Sequence, residues 1–249
     1  MAIQKRNRRG SRLRCLVLTC LSREHVAHAL TQLVRPFASV SPEDRWMPDG
    51  FLRPDEAKLG ETLGFLSPAM REQLTEWWLK VRRRANTPNW DIVSSCTIEG
   101  KQGLVLVEAK AHDRELRADG KKKTAKTNED NHERIGSAIQ AANDGLNVIL
   151  PGWALSRDSH YQLSNRFAWA WKLAEMDIPV VLVYLGFLNA TEMEDRGEPF
   201  PNHQEWRNYM MDQVIGIVPP EAWERPLLVG RAHFVTLLRS ADFSVTISV

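Results

Sequence analysis

The chain has 249 residues, 43% hydrophobic and 26% charged, a balance that sets aside disordered and fibrous classes and leaves room for a substantial core. Its net charge of +2 is too small to identify a polyanionic partner. The three cysteines, Cys15, Cys20 and Cys96, are an odd number without metal-ligand spacing, which argues for reduced thiols in a cytoplasmic protein and against a disulfide framework.

Lys5, Arg6, Arg8, Arg9, Arg12 and Arg14 precede the first acidic residue, so the chain opens on a basic arm that either touches phosphates or is simply solvated. The apolar run Cys15 to Leu21 is short for an export signal and leads directly into Ser22-Arg23-Glu24-His25. It reads as a strand, followed by a helix that Ser22 opens and that carries Val26, Leu30 and Leu33 on one side. Residues 36–54 are rich in Pro, Ser and Asp and read as a linker, dividing the chain into an amino-terminal extension, 1–53, and a main domain, 54–249.

Helical patterns follow at about 54–64 and 67–84, the second starting at Ser67-Pro68, ending on Arg82, Arg83 and Arg84, and carrying Leu74, Trp77, Trp78 and Val81 as an apolar stripe. After the breaker Asn86-Thr87-Pro88-Asn89, the segments 90–98 and 103–111 are β-branched and apolar, and 99–102 separates them as a hairpin turn. Residues 112–130 read as an exposed loop containing Lys121, Lys122, Lys123 and Lys126. Helical patterns run from about 130 to 145 and 159 to 176, and Val180 to Leu185 reads as a buried central strand. A helix near 203–215 and a β-prone end from Phe243 to Val249 complete the reading. Trp169 and Trp171 suit packing, with base stacking as the alternative. The strongly apolar run Ile178 to Leu188 is only about half the length of a membrane span, so no membrane association is expected.

Glu-x-Lys occurs at Glu56 and Lys58, at Glu99 and Lys101, and at Glu108 and Lys110, and only the third closes an apolar strand, Leu104-Val105-Leu106-Val107. Strand alternation puts Glu108 and Lys110 on one face. A hairpin tip at Gly100 and Lys101 sets Asp91 opposite Lys110, on the face of Glu108, and any loop of even length keeps that parity. Two carboxylates diagonal across a strand pair can hold one hard cation such as Mg²⁺, with Mn²⁺ as a substitute and the Ala109 carbonyl as a further ligand. Such an ion would polarise a phosphodiester, while Lys110 would orient or deprotonate water, or offset charge on the phosphorane. The competing reading is a surface hairpin with a cross-strand salt bridge.

Pro88-Asn89-Trp90-Asp91 followed by Val107-Glu108-Ala109-Lys110 resembles the bipartite signature of the PD-(D/E)XK nuclease superfamily, which includes many restriction endonucleases and RecB-like exonucleases. The resemblance covers about residues 67–188. It implies an α/β (mixed α+β) fold with a restriction-endonuclease-like core, a small mixed central sheet flanked by helices, and a two-carboxylate metal site with Asp91, Glu108 and Lys110 at the motif positions. The implied activity is Mg²⁺-dependent hydrolysis of nucleic acid, with DNA favoured over RNA. The alternatives are a nuclease-fold binding or assembly module without hydrolytic activity, and a hydrolase of another phosphoester.

The superfamily usually has a strand between its first helix and the motif aspartate, where only the linker 85–90 is found, so another segment would have to donate it. A further acidic ligand from the first helix would be Glu61, Glu72 or Glu76. Gln162 and Arg166, on one side of the helix before the buried strand, are candidates to face a scissile phosphate, against a solvated helix face as the alternative. Lys121, Lys122 and Lys123 are candidates to touch a nucleic-acid backbone, and the amino-terminal section to grip substrate or form a homo-oligomer. His112, His132, His160 and His203 make no zinc pattern, and Gly136 suggests close packing rather than phosphate cradling.

Overall fold

A computed structural model describes residues 9–82, 85–116, 119–121 and 129–243. The chain forms a mixed α/β structure in which a six-stranded sheet carries helices on both faces. In chain order the elements are α1 (Gly10–Thr19), α2 (Arg23–Val34), β1 (Trp46–Met47), β2 (Ala57–Lys58), α3 (Pro68–Trp78), β3 (Asn89–Trp90), β4 (Ile92–Ile98), β5 (Lys101–Lys110), α4 (Glu129–Ile149), α5 (Tyr161–Glu175), β6 (Val180–Leu188), α6 (His203–Gln213), β7 (Pro226–Val229) and β8 (Ala232–Asp242). The sheet order is β1-β4-β5-β6-β8-β7, with β2 and β3 forming a separate small ladder. Strands β5, β6 and β8 run parallel, whereas β1 pairs β4, β4 pairs β5 and β7 pairs β8 antiparallel. The α4–α5 pair makes the crossover from β5 to β6 that a parallel connection requires.

Each face of the sheet has its own core. Leu104 and Leu106 of β5 and Val180, Leu182 and Tyr184 of β6 pack with residues of α3, α4, α5 and α6. Val105, Val107 and Ala109, with Val181, Val183 and Leu185, pack beneath Cys15 and Leu18 of α1 and Val26, Leu30 and Val34 of α2. Burial on both faces explains why β5 and β6 read as unbroken apolar runs. Residues 10–53 therefore cover one sheet face and supply the edge strand β1. That strand is the antiparallel neighbour of β4, pairing Trp46 with Ser94 and Met47 with Val93.

Several sequence expectations are corrected. The run after the basic arm is helix α1, not a strand: seven of its residues are buried, so its apolar character shows no period, and a short unperiodic run cannot separate strand from helix. The pattern at 54–64 is β2 and turns, with Ala57 opposite Trp90 and Lys58 opposite Asn89. Helix α3 begins as expected, Ser67 Oγ accepting from the Met70 N–H at 3.3 Å, but it ends at Trp78 rather than 84. The buried Asn131 side chain draws the chain out of the helix. Its Oδ1 accepts from the N–H groups of Lys80 and Val81 at 2.9 and 2.8 Å, and its Nδ2 donates to the Val81 carbonyl at 2.7 Å. The hairpin tip is Glu99-Gly100, both at positive φ, not Gly100-Lys101. Ile92 thus faces Val107, and Val93 faces Leu106 rather than Glu108; a two-residue shift preserves the parity. The β-prone carboxy end is preceded by the long strand β8, and residues 244–249 lie outside the described ones. Close packing at Gly136 is present: a Cβ there would lie 2.8 Å from Nη1 of Arg157. Among the described residues no helix is long and apolar enough to cross a membrane.

Candidate active site

Strand β5 changes character along one face. Leu104 and Leu106 are core, but the next two residues on that side, Glu108 and Lys110, are charged and still only 2% and 4% exposed. Asp91 stands one residue before β4, and extending the Ile92–Val107 pairing places it opposite Glu108. Its Oδ2 accepts from the Ala109 N–H at 2.8 Å, which ties the aspartate to the middle of the Glu-x-Lys tripeptide. The shared face predicted for the three groups is what the structure places there, reached through a different register.

Helix α5 closes the site from the same side. One helical turn apart, Gln162 and Arg166 both reach Glu108: Gln162 Nε2 donates to Oε1 at 2.7 Å and Arg166 Nε donates to Oε2 at 2.5 Å. Lys110 Nζ donates to the same Oε1 at 2.6 Å. Arg166 is further held by Asn165, whose Oδ1 accepts from Nη1 at 2.9 Å, and its guanidinium lies 4.6 Å from the ring centroid of the buried Trp90. The solvated-face alternative for Arg166 is overturned, because the helix is wedged between the sheet and α4 and the residue is 7% exposed.

The charges set one another. Burial and then the neighbouring Glu108 charge push the Asp91 carboxyl up to about 7, against the pull of Lys110 and the Ala109 N–H. Burial acts on Glu108 in the same direction, but Arg166 and Lys110 overcome it and hold that carboxyl below its ordinary value. Burial alone would lower the Arg166 guanidinium, and Glu108 more than offsets this. Two carboxyls on adjacent strands are thereby driven apart in proton affinity, a pattern common where acids do chemistry.

Asp91, Glu108, Ala109, Lys110, Gln162 and Arg166 line one cleft of about 1190 Å³. Its walls also include Arg9, Ser11 and Arg12 from the start of α1, Glu56 and Asn89 from the small ladder, His112, Arg114 and Glu115 beyond β5, and Arg196. Glu56 pairs with Arg12 and accepts from Asn89 Nδ2 at 2.8 Å; Glu115 accepts from the Ala111 N–H at 2.5 Å and from Ser11 Oγ at 3.3 Å. None of the three acids expected from the first helix lines it. Glu72 and Glu76 face Arg82 on the outside of α3, and Glu61 pairs with Lys58 at 3.6 Å.

Lys121 does not line the cleft either. It packs its ammonium on the Tyr161 ring, 4.7 Å from the centroid, and burial lowers its pKa. Lys122, Lys123 and Lys126 lie outside the described residues. His112 continues the stride of two from Glu108 and Lys110, a periodicity visible in the sequence; Glu56 belongs to a Glu-x-Lys tripeptide, but its place in the cleft follows from the pairing of β2 with β3. Trp169 is buried against Trp77 and Trp78, so packing is its use.

Among the described residues no three His, Cys, Asp or Glu side chains are placed to share a metal ion. Asp91 and Glu108 are two, both hard oxygen donors, and both line the same cleft. Magnesium is commonly held by one or two carboxylates with waters completing the shell, so this donor set fits such an ion. Comparison with known protein families, curated proteins and solved structures returned no match.

Proposed function

We propose that the chain is a metal-dependent nuclease with a restriction-endonuclease-like core, hydrolysing phosphodiester bonds in nucleic acid, with DNA favoured. The observation that carries this reading is the convergence of Asp91 and Glu108, from paired strands, in one cleft with the Lys110 ammonium bonded to Glu108. The donated edge strand β1 and the helices on both sheet faces fit the same core.

When bound, Mg²⁺ or Mn²⁺ would supply Lewis-acid polarisation of the phosphodiester and a more acidic water. Asp91, Glu108 and the carbonyl of Ala109 would hold it. Lys110, a pure donor beside Glu108, would offset charge growing on the phosphoryl oxygens. Arg12, Arg114 and Arg196 stand on the cleft wall, where a phosphate backbone approaching Asp91 would meet them. The amino-terminal extension would grip substrate or support a homo-oligomer. Closed packing of the site keeps its charges in a medium where they act more strongly than in water.

The test is incubation of the purified chain with linear, circular and single-stranded DNA and with RNA, with Mg²⁺ or Mn²⁺, beside Asp91→Asn and Lys110→Ala. Metal-dependent cleavage that both substitutions abolish, with the fold intact, is expected; absence of cleavage on every substrate counts against the enzyme. A second reading, a nucleic-acid-binding or assembly module on the same fold, is favoured by the three donors already on Glu108. It predicts salt-sensitive binding without cleavage.

A further inference from the structure

Glu108 carries three donors. A carboxylate offers about four lone-pair sites, and here Lys110 and Gln162 share Oε1 while Arg166 takes Oε2. With the side chain 2% exposed, an arriving cation must use the remaining site or displace a donor.

The three donors differ. Gln162 is neutral. Lys110 extends from the same strand as Glu108, two residues on, and its flexible stem can follow a small shift. Arg166 comes from another element, carries a fixed charge, and is held on three sides by Glu108, Asn165 and the Trp90 ring. A divalent ion seated between Asp91 and Glu108 would stand next to that guanidinium, and like charges brought together inside a protein repel more strongly than in water.

We propose that Arg166 is an internal counter-ion that takes the cation's place on Glu108 in the metal-free protein, so that the Arg166–Glu108 bond and divalent-ion binding exclude one another. Once displaced, the guanidinium remains in the cleft and is a bidentate donor suited to the phosphate that accompanies the ion. This makes Arg166 a positioning residue in the resting state. The inference rests on the metal-dependent reading above and adds to it a competition: an arriving ion must displace the site's own cation from Glu108, and an accompanying phosphate favours the exchange by receiving the displaced guanidinium.

The test is titration of Mn²⁺, read by electron paramagnetic resonance without nucleic acid, into the wild-type chain and the Arg166→Gln, Gln162→Ala and Asp91→Asn variants, with near-UV circular dichroism to confirm the fold. Arg166→Gln is expected to bind Mn²⁺ at least about tenfold more tightly than wild type, as removal of a like charge from this position requires. Gln162→Ala is expected to change affinity less than about threefold, since it removes no charge. Binding in Arg166→Gln that is unchanged or weaker, or an equal gain in Gln162→Ala, overturns the counter-ion role and leaves the nuclease reading standing. If no variant shows Mn²⁺ binding that depends on Asp91, the metal-dependent reading fails and this inference with it.

Should Arg166→Gln not fold, the wild-type chain decides through the side-chain Nε–Hε resonance of Arg166 during Mg²⁺ titration. Loss of its carboxylate-bonded position at the midpoint of Asp91-dependent binding is expected. An unperturbed resonance at saturating Mg²⁺ overturns the proposal.

Discussion

The two faces of β5 share one backbone and serve opposite ends. On the side covered by α1 and α2, Val105, Val107, Ala109 and Ala111 are apolar to the last residue and belong to a continuous core. On the side covered by α5, Leu104 and Leu106 give way to Glu108 and Lys110 with almost no change in burial. Burial therefore does not distinguish stability from chemistry here. What distinguishes them is whether a neighbouring element supplies counter-charges, as α5 does through Arg166 and Gln162. On the other face the buried charge that α1 contributes, Arg14, is already paired with Glu192.

That contrast can be broken most severely at adjacent positions. Val107→Asp puts a carboxylate into the apolar core of the other face and is expected to abolish cooperative folding, with a cost above about 5 kcal/mol, read from soluble yield and urea denaturation. Glu108→Ala, one residue on, leaves Lys110 and Arg166 buried without their partner and should cost about 3–5 kcal/mol by urea denaturation. If Glu108→Ala proves as stable as wild type, the ion pairs seen in the cleft are not formed in solution. Leu106→Ala, on the same face but in its apolar part, should cost about 2–4 kcal/mol and, at a temperature where it stays folded, leave cleavage near the wild-type rate. A loss of cleavage matching that of Glu108→Ala would erase the division along the strand.

A smaller effect sharpens the electrostatic side. Because Asp91 titrates near 7 when folded against an ordinary 3.8, the folded chain retains a proton that the unfolded chain has released between those values. Its contribution is complete below about pH 4 and is lost as pH rises to about 7, after which no further change comes from this group. Metal-free Asp91→Asn, which keeps an acceptor for the Ala109 N–H, should therefore be more stable than wild type at pH 8, by on the order of 1–3 kcal/mol, and equal to it at pH 4. Thermal unfolding at the two pH values measures this, and a constant difference across them would contradict the raised carboxyl. The smallest effect is expected outside the cleft: Glu72→Gln and Glu76→Gln, whose exposed side chains pair with Arg82, should leave melting temperature and cleavage unchanged. A marked loss of cleavage in either would return the first helix to the site.

The shared face of Asp91, Glu108 and Lys110 was legible because strand parity is robust. Moving the hairpin tip by two residues altered every cross-strand partner yet left Asp91, Glu108 and Lys110 on one side, since a side chain returns to its face every second residue. The central strand β6, the start of α3 at Ser67 and the crossover helices were legible for similar local reasons. The identity of α1 was not, because burial on nearly all sides hides its helical period. Nor were the end of α3, set by Asn131 from a helix some fifty residues on, or Glu56, brought to the cleft by pairing between β2 and β3. In each case the deciding contact is long in sequence, and local pattern carries no trace of it. Gln162 and Arg166 fall between: their shared helix face was readable, but their convergence on Glu108 required the packing of α5 over the end of β5.

The central claim is that Asp91 and Glu108 seat one divalent ion, and anomalous diffraction from crystals grown with Mn²⁺ tests it most directly. The account predicts an anomalous peak within about 2.0–2.3 Å of a carboxylate oxygen from each residue. A Mn²⁺ peak elsewhere in the cleft, or none in crystals of protein that cleaves nucleic acid with Mn²⁺, would contradict it.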